Sequence, residues 1–167
     1  MGIISKTVAA TAAAALLAGS ANAGCWNETA YRAAQVRELD TMLMVEALRC
    51  RKTAASFLER YNEFVVASRP ALLQANAALK GHFAGEVGER GALNAYDKYM
   101  TTVANRYGAG SDGLKCEDMA SIVQAALSAN GSASTLHQLA ESARMVPTVQ
   151  GARCSTVTSS MSITARR

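Results

Sequence analysis

The chain is poor in the side chains from which catalytic and metal sites are usually built. Its only imidazoles are His82 and His137, and no two of its four cysteines have the short spacing of a zinc-ligand pair. The sequence also lacks a Cys-x-x-Cys redox motif, a haem-attachment Cys-x-x-Cys-His motif and a nucleophile elbow. We therefore predict that the protein has no catalytic, cofactor-binding or metal-binding residues and takes no cofactor.

Clustered positive charge and long apolar runs are absent as well. The 17 lysines and arginines are dispersed among 13 acidic residues, which gives a formal net charge of +4. A surface that follows nucleic-acid phosphates needs basic residues gathered on one face, so we expect no nucleic-acid partner. After Gly24 no apolar run approaches the roughly 20 residues that a membrane-spanning helix needs, so we expect no membrane span.

What the sequence does contain is an amino-terminal segment of the export type. Residues 1–23 carry the single charge of Lys6, then an alanine- and leucine-rich run, then Ala21, Asn22 and Ala23. This order matches the charged, apolar and small-residue regions of a secretory signal peptide. We predict cleavage before Gly24 and a periplasmic or secreted mature protein, in which the loss of Lys6 lowers the formal charge from +4 to +3.

A lipoprotein site is the alternative interpretation of the same segment. Ala23 and Gly24 precede Cys25, as small residues do before an acylated cysteine. The position three residues before that cysteine should hold a branched apolar side chain, and here it is Asn22. We therefore favour ordinary cleavage over a lipid anchor on Cys25.

The four cysteines, Cys25, Cys50, Cys116 and Cys154, predict two structural disulfides, because the number is even and the expected compartment is oxidising. A continuous first helix would hold Cys25 and Cys50 roughly 35 Å apart. A disulfide needs Cα atoms within about 7 Å, so that pair is excluded and two connectivities remain. We prefer the nested one, Cys50 with Cys116 and Cys25 with Cys154, because domain termini tend to lie near each other.

Apolar residues recur at steps of three and four along nearly the whole mature chain, which is the pattern of amphipathic α-helices. Alternating β-type patterns of useful length are missing. We expect an all-α domain at residues 24–154, a compact bundle of five or six helices stapled by two disulfides, followed by a flexible tail at 155–167. The helices that the pattern predicts cover about residues 27–50, 53–67, 71–82, 93–107, 116–129 and 134–143.

Proline and glycine set the expected boundaries. Pro70 should bend the chain after residue 67, because proline lacks an amide donor and clashes with the preceding turn. Four glycines between residues 81 and 91 should form a loop, since each weakens a helix by about 1 kcal/mol relative to alanine. In the next helix, at 93–107, the predicted core positions are Leu93, Tyr96, Met100, Val103 and Tyr107, with Lys98 on the opposite face.

Several groupings suggest chemistry but have simpler interpretations. Ser134, His137 and Glu141 resemble a hydrolase triad, yet helical spacing alone brings such residues together, so we predict surface or capping positions. We expect His82 to lie near a helix end as a capping residue, and the methionines to fill the core rather than bind copper. The carboxylate pairs predicted to lie on solvated helix faces are Glu38 with Asp40 and Glu59 with Glu63.

The sequence-level expectation for function is an exported, non-enzymatic helical protein. Its partner would be another protein in the periplasm, as for an inhibitor or immunity-type module, and Arg49, Arg51 and Lys52 around Cys50 suit an anionic partner or merely the end of a helix. A carrier of an apolar small molecule in the bundle core is the alternative, followed by an unrecognised hydrolase. An exposed patch would favour interaction, an enclosed cavity the carrier, and a cleft joining histidine, carboxylate and hydroxyl the enzyme.

Overall fold

The computed structural model describes residues 24–111 and 113–154, which form five α-helices around one core. No strand occurs in these residues, so the all-α class is confirmed. The predicted signal peptide at 1–23 and the predicted tail at 155–167 lie outside the described residues. The helices are α1 (Glu28–Cys50), α2 (Leu58–Val87), α3 (Glu89–Gly108), α4 (Cys116–Ser128) and α5 (Ala133–Ser142).

Helix α1 is the centre of the bundle and packs against all four other helices. It begins where the Asn27 side chain accepts a hydrogen bond from the Ala30 amide at 2.8 Å, satisfying a donor that the first turn leaves open. Because neighbours cover it on most sides, α1 buries polar as well as apolar residues. Its buried polar residues are Gln35, Glu38, Asp40, Thr41 and Glu46.

The predicted break at Pro70 is wrong, because Pro70 lies inside the 30-residue helix α2. Proline removes the hydrogen bond to the carbonyl four residues earlier, at Val66, but that residue is 77 % exposed and water can solvate the carbonyl. Phe64 and Leu72 are buried in the same core on either side of Pro70. Packing before and after the proline therefore outweighs the lost hydrogen bond.

The predicted glycine loop also differs from the structure. Gly81 and Gly85 belong to α2 and Gly91 to α3, so the connection between these helices shrinks to Gly88. Buried side chains nearby, such as Phe83, supply packing that the propensity argument left out. Gly88 has φ of +76°, a left-handed conformation that glycine adopts without the steric penalty of a Cβ atom.

The buried face of α3 includes the predicted Tyr96, Val103 and Tyr107 but differs from the prediction at two other positions. Leu93 is 54 % exposed and Met100 is half-buried, whereas Lys98 is exposed as expected. Tyr99, which the predicted stripe omitted, is buried, and its hydroxyl donates to Glu38 at 2.9 Å. A polar partner inside the core thus turns this face inward. The buried residues of α3 are Ala92, Tyr96, Tyr99, Val103 and Tyr107.

Two disulfides close the fold, with the nested connectivity that was preferred because domain termini tend to lie near each other. Cys25 pairs with Cys154 at a Cα separation of 5.0 Å, and Cys50 pairs with Cys116 at 5.8 Å. The first bond joins the two ends of the described chain, and the second ties the end of α1 to the start of α4. None of the described helices combines the length and the hydropathy needed to cross a bilayer.

Candidate functional site

The carboxylate of Glu38 is fully buried, which corrects the prediction of a solvated helix face. It accepts hydrogen bonds from the Thr148 amide and the Tyr99 hydroxyl, and Arg106 lies 3.3 Å away. Burial raises the pKa of Glu38, while these hydrogen bonds and the arginine act in the opposite direction. The arrangement fastens the segment after α5 to both α1 and α3, so this carboxylate has a structural role.

Asp40 was likewise expected in solvent and is buried. It forms an ion pair with Arg37 and accepts a hydrogen bond from the Tyr61 hydroxyl at 3.2 Å. Burial raises the pKa of Asp40, and burial together with the nearby carboxylate raises the pKa of Tyr61. Both corrections have one cause, because neighbouring helices cover the middle of α1 on most sides.

A third carboxylate of α1, Glu46, is buried and holds the loop between α3 and α4. It accepts a hydrogen bond from the Ser111 amide at 2.6 Å and lies 3.4 Å from Arg49. Arg49 in turn donates to the Gly108 carbonyl at 2.8 Å. Arg49 stands out in the sequence beside Cys50 and Glu46 does not, although the three-residue spacing of the pair is the signal that relates them. Glu59 and Glu63, by contrast, are exposed as predicted.

The structure does not assemble a triad from Ser134, His137 and Glu141. His137 Nε2 lies 3.6 Å from a Glu141 oxygen, but the Ser134 hydroxyl pairs with Ser132 at 3.0 Å. Within residues 24–111 and 113–154 no hydrogen bond joins Ser134 to His137. Ser132 is the capping residue of α5, since it accepts a hydrogen bond from the Thr135 amide. The prediction of a surface position for His137 is wrong, because this residue is only 9 % exposed.

His82 is also placed differently from the prediction. It lies inside α2 rather than at a helix end, and its ring packs on Trp26 with a centroid separation of 4.0 Å. Its Nε2 atom is 3.2 Å from Glu86. Burial lowers the pKa of His82, although Glu86 acts in the opposite direction. The aromatic contact identifies His82 as a packing residue next to the Cys25–Cys154 disulfide.

The methionines divide between core and surface. Met42, Met119 and Met145 are buried, which supports their predicted role as core residues, whereas Met44 is exposed. Met100 is half-buried. Among the residues that the structure describes, no three histidine, cysteine, aspartate or glutamate side chains are grouped as metal ligands.

One open groove runs between α1, α2 and α5, and we call it the alanine groove. It encloses about 250 Å³ and is largely apolar, because small side chains from three helices form its walls. Arg32, Gln74 and His137 are the larger polar side chains along it. Its lining residues are Thr29, Arg32, Ala33, Val36, Ala71, Gln74, Ala75, Ala78, Ala133, Ser134 and His137.

A second candidate surface surrounds the Cys50–Cys116 disulfide, and we call it the basic end. It combines two adjoining open grooves of about 390 and 400 Å³ that share Arg49. Leu48 and Leu114 are 47 % and 43 % exposed there. The cationic side chains of the basic end are Arg49, Arg51, Lys52 and Lys115, and its carboxylates are Glu46, which pairs with Arg49, and the exposed Glu117.

Comparison with known proteins supplies no relative from which a role could be transferred. No protein-family model matches the chain, and no curated protein or solved structure shows significant similarity to it. Within the described residues, the alanine groove and the basic end are two surfaces that offer binding chemistry.

Proposed function

We propose that this protein is an exported, non-enzymatic interaction module that binds another protein through the basic end. The observation that carries the proposal is the exposure of Leu48 and Leu114 beside four cationic side chains. Apolar side chains that remain exposed next to polar ones are typical of surfaces that a partner covers. An inhibitor or immunity-type protein of the periplasm is one instance of such a module.

The chemistry of the basic end defines the partner. Arg51 and Lys52 are exposed, and neither forms an ion pair within the described residues. A partner face with carboxylates around an apolar centre would complement these charges. Such complementarity increases the rate of encounter and fixes the orientation of the complex more than it adds affinity.

The basic end is also held rigidly, which favours binding. The disulfide between Cys50 and Cys116 crosslinks the two helices that border it. Glu46 holds the Ser111 amide, and Arg49 holds the Gly108 carbonyl on the same side. A surface that is ordered before binding loses less conformational entropy when the complex forms.

The two other function classes receive less support from the geometry. A carrier would hold its ligand in an enclosed cavity, whereas the alanine groove and both grooves of the basic end open to solvent. A hydrolase would need the hydroxyl of Ser134 aligned with His137, and that hydroxyl pairs with Ser132 instead. An exposed patch is the feature that favours an interaction protein.

The experiment compares two matched charge-and-apolar variants. Tagged mature protein, the basic-end variant Leu48→Ser/Arg51→Glu and the control variant Leu73→Ser/Arg69→Glu are each exposed to periplasmic extract of the source cell. Leu73 and Arg69 are exposed on α2, so the control changes the same residue types elsewhere. Any retained protein is purified, and its affinity for all three is measured at low and high salt.

We expect the basic-end variant to bind at least about tenfold more weakly, as hot-spot substitutions do, and the control to bind like the unmodified protein. High salt should reduce the difference in affinity between the basic-end variant and the unmodified protein, because it screens the charges. A partner that binds both variants equally, or an extract from which nothing is retained, contradicts the proposal. Export is checked separately by intact mass, with Gly24 expected as the mature amino terminus and a diacylglyceryl group on Cys25 as the contrary result.

A further inference from the structure

His137 provides an unused hydrogen-bond acceptor at the alanine groove. The residue lines the groove and is 9 % exposed, and its Nδ1 atom is buried with no hydrogen-bond partner among the described residues. Buried polar atoms are nearly always paired, so an atom in this state needs an explanation. A carboxylate oxygen of Glu141 lies 3.6 Å from Nε2 and favours the proton on that nitrogen, which leaves Nδ1 as an acceptor. The groove therefore suits an occupant that donates one hydrogen bond.

The rest of that occupant should be compact and apolar. Five alanines from three helices and Val36 line the groove, and their side chains carry no polar atom. The groove encloses about 250 Å³, which exceeds the roughly 150 Å³ of an engineered apolar cavity that accepts benzene. A single ring with one substituent therefore fits the volume, and burial of its apolar surface against the alanines would favour binding.

The charges along the groove favour a neutral occupant. Arg32 is a cationic side chain of its wall, but the guanidinium already pairs with Glu28 at 2.7 Å. An anionic ligand would compete with Glu28 for an exposed arginine, where an ion pair contributes little. Gln74 and Ser134 are exposed, so water can form hydrogen bonds with their polar atoms. The buried Nδ1 atom of His137 is therefore the acceptor through which this groove can select a ligand.

His137 can present this acceptor to a ligand without a change of fold. The χ2 torsion of a histidine has broad energy minima, so a small rotation of the ring turns Nδ1 toward the groove that the residue lines. A hydrogen bond formed among apolar side chains is stronger than the same bond in bulk water. The groove itself opens to solvent, so its ligand exchanges freely, unlike a ligand held in the enclosed cavity of a carrier.

We propose that the alanine groove binds a small neutral aromatic alcohol of the phenol class, with its ring against the alanines and its hydroxyl donating to Nδ1 of His137. A rigid ring loses less conformational entropy on binding than a flexible aliphatic chain of similar size. The proposal is independent of the basic end, because the two surfaces share no lining residue.

The test compares phenol with anisole, which has the same ring but carries a methyl group in place of the hydroxyl proton. Each ligand is titrated into the mature protein, and the readouts are the alanine methyl resonances of the groove and the imidazole nitrogen resonances. We expect both ligands to shift the groove signals and phenol to bind about fivefold or more tightly, the effect of one net hydrogen bond. Phenol should also shift the His137 Nδ1 resonance more than anisole does.

Three variants separate the hydrogen bond from the apolar contact. His137→Phe keeps a ring in the groove but removes the acceptor, so it should bind phenol and anisole with similar affinity. Ala78→Leu fills part of the groove and should weaken both ligands. Ala77→Leu makes the same substitution at an exposed neighbour outside the groove and should leave binding unchanged. His82, which packs on Trp26 outside the groove, is the internal control, and its resonances should not shift.

The ligand pair keeps the proposal testable even where a variant fails to fold, because both ligands are measured on the unmodified protein. Equal affinity of that protein for phenol and anisole would overturn the proposal. So would phenol-induced shifts that centre on residues outside the groove, or the absence of any shift. A preference for phenol that survives in folded His137→Phe would also overturn it, since the hydroxyl would then have another acceptor.

Discussion

The amide of Thr148 donates a hydrogen bond to the buried carboxylate of Glu38, 110 residues earlier in the chain. This contact holds the segment after α5 against the central helix. Tyr99 and Arg106 of α3 bind the same carboxylate, so Glu38 connects α1, α3 and the carboxyl-terminal segment. One buried charge therefore organises three parts of the bundle that lie far apart in sequence.

Replacement of Glu38 should reveal this role. We expect Glu38→Ala to lower the free energy of unfolding by roughly 3–5 kcal/mol, because the substitution leaves the buried partners of the carboxylate unpaired. Glu38→Gln keeps one acceptor oxygen and should cost less. Urea unfolding measures both variants, with Glu59→Ala, an exposed position on α2, as a control that should change stability by less than about 0.5 kcal/mol. Equal losses at the two positions would contradict the structural role of Glu38.

The stability of the protein should depend on pH in the way expected for buried carboxyl groups with a raised pKa. Burial raises the pKa of Glu38 and of Asp40 above their ordinary values of 4.5 and 3.8, so the folded state binds protons more readily than the unfolded chain. These two carboxyl groups therefore contribute more to stability as pH falls through their raised pKa in the folded state toward their pKa in the unfolded chain. The lowered pKa of His82 acts in the opposite sense, since its contribution is lost as pH falls below about 6.5.

Comparison of the unmodified protein with single-residue variants separates the effect of the carboxylates on stability from the effect of His82. We expect the stability advantage of the unmodified protein over Glu38→Gln to grow on acidification from pH 7 to the unfolded pKa near 4.5, as measured by urea midpoints at each pH. Asp40→Asn should show the same trend toward a lower pH. A difference that shrinks on acidification would mean that the Glu38 carboxylate is stabilised as the ion in the folded state.

Two leucines test the orientation of the helices around the core. Leu79 on α2 is fully buried, whereas Leu93 on α3 is largely exposed. Leu79→Ala should lower stability by roughly 2–5 kcal/mol, the usual loss for a leucine in a packed interior. Leu93→Ala removes the same atoms and should cost less than about 1 kcal/mol. Thermal or urea unfolding measures both, and a reversed order would mean that α3 presents the face predicted from sequence.

Two glycines should respond oppositely to alanine. Gly88 has φ of +76°, so Gly88→Ala should destabilise the protein by about 1 kcal/mol or more, although nothing lies within 4 Å of the added Cβ. Gly81 lies inside α2 with open space around its Cβ position, so Gly81→Ala should stabilise the protein by about 0.5–1 kcal/mol. If both substitutions shifted the melting temperature in the same direction, the single-residue connection between α2 and α3 would be contradicted.

Removal of the Cys50–Cys116 bond should weaken the fold and loosen the basic end. The bond closes a loop with a sequence separation of 66, for which the chain-entropy relation gives about 4 kcal/mol. Cys50→Ala/Cys116→Ala should therefore lower stability by up to that amount and speed hydrogen exchange at the Ser111 amide. Exchange at the Thr148 amide, which Glu38 holds, serves as the control and should change only through global unfolding.

Helical period was sufficient to predict the all-α bundle. Helical rise excluded one of the three cysteine pairings, and the tendency of domain termini to lie near each other favoured the nested one. In α1 and α4, the apolar side chains that recur at steps of three and four are ones that the core buries. The sequence pattern of these helices therefore indicates directly which face is buried. The separation of Cys25 from Cys50 followed from helical rise alone. These predictions concern local spacing, which one sequence displays.

The remaining features depend on contacts between distant residues. Pro70 and Gly85 are tolerated in α2 because tertiary packing compensates for weak local preference, and a local rule assigns them to breaks. The burial of Glu38 depends on Thr148 and Tyr99, which lie far along the chain. The exposure of Leu48 on α1 and of Leu114 in the loop before α4 became visible only when the fold showed which parts of the surface have no neighbour.

Export, as proposed above, would combine with the nested crosslinks to set an order of events for the newly made chain. When a polypeptide crosses a membrane with its amino terminus leading, the thiols of Cys25 and Cys50 emerge before those of Cys116 and Cys154. Oxidation of the first two together would give a non-native bond. The 23 residues of α1 span about 35 Å and keep these two thiols beyond bonding distance once the helix has formed. Early formation of α1 would therefore act as a spacer that directs each thiol to a partner translocated later.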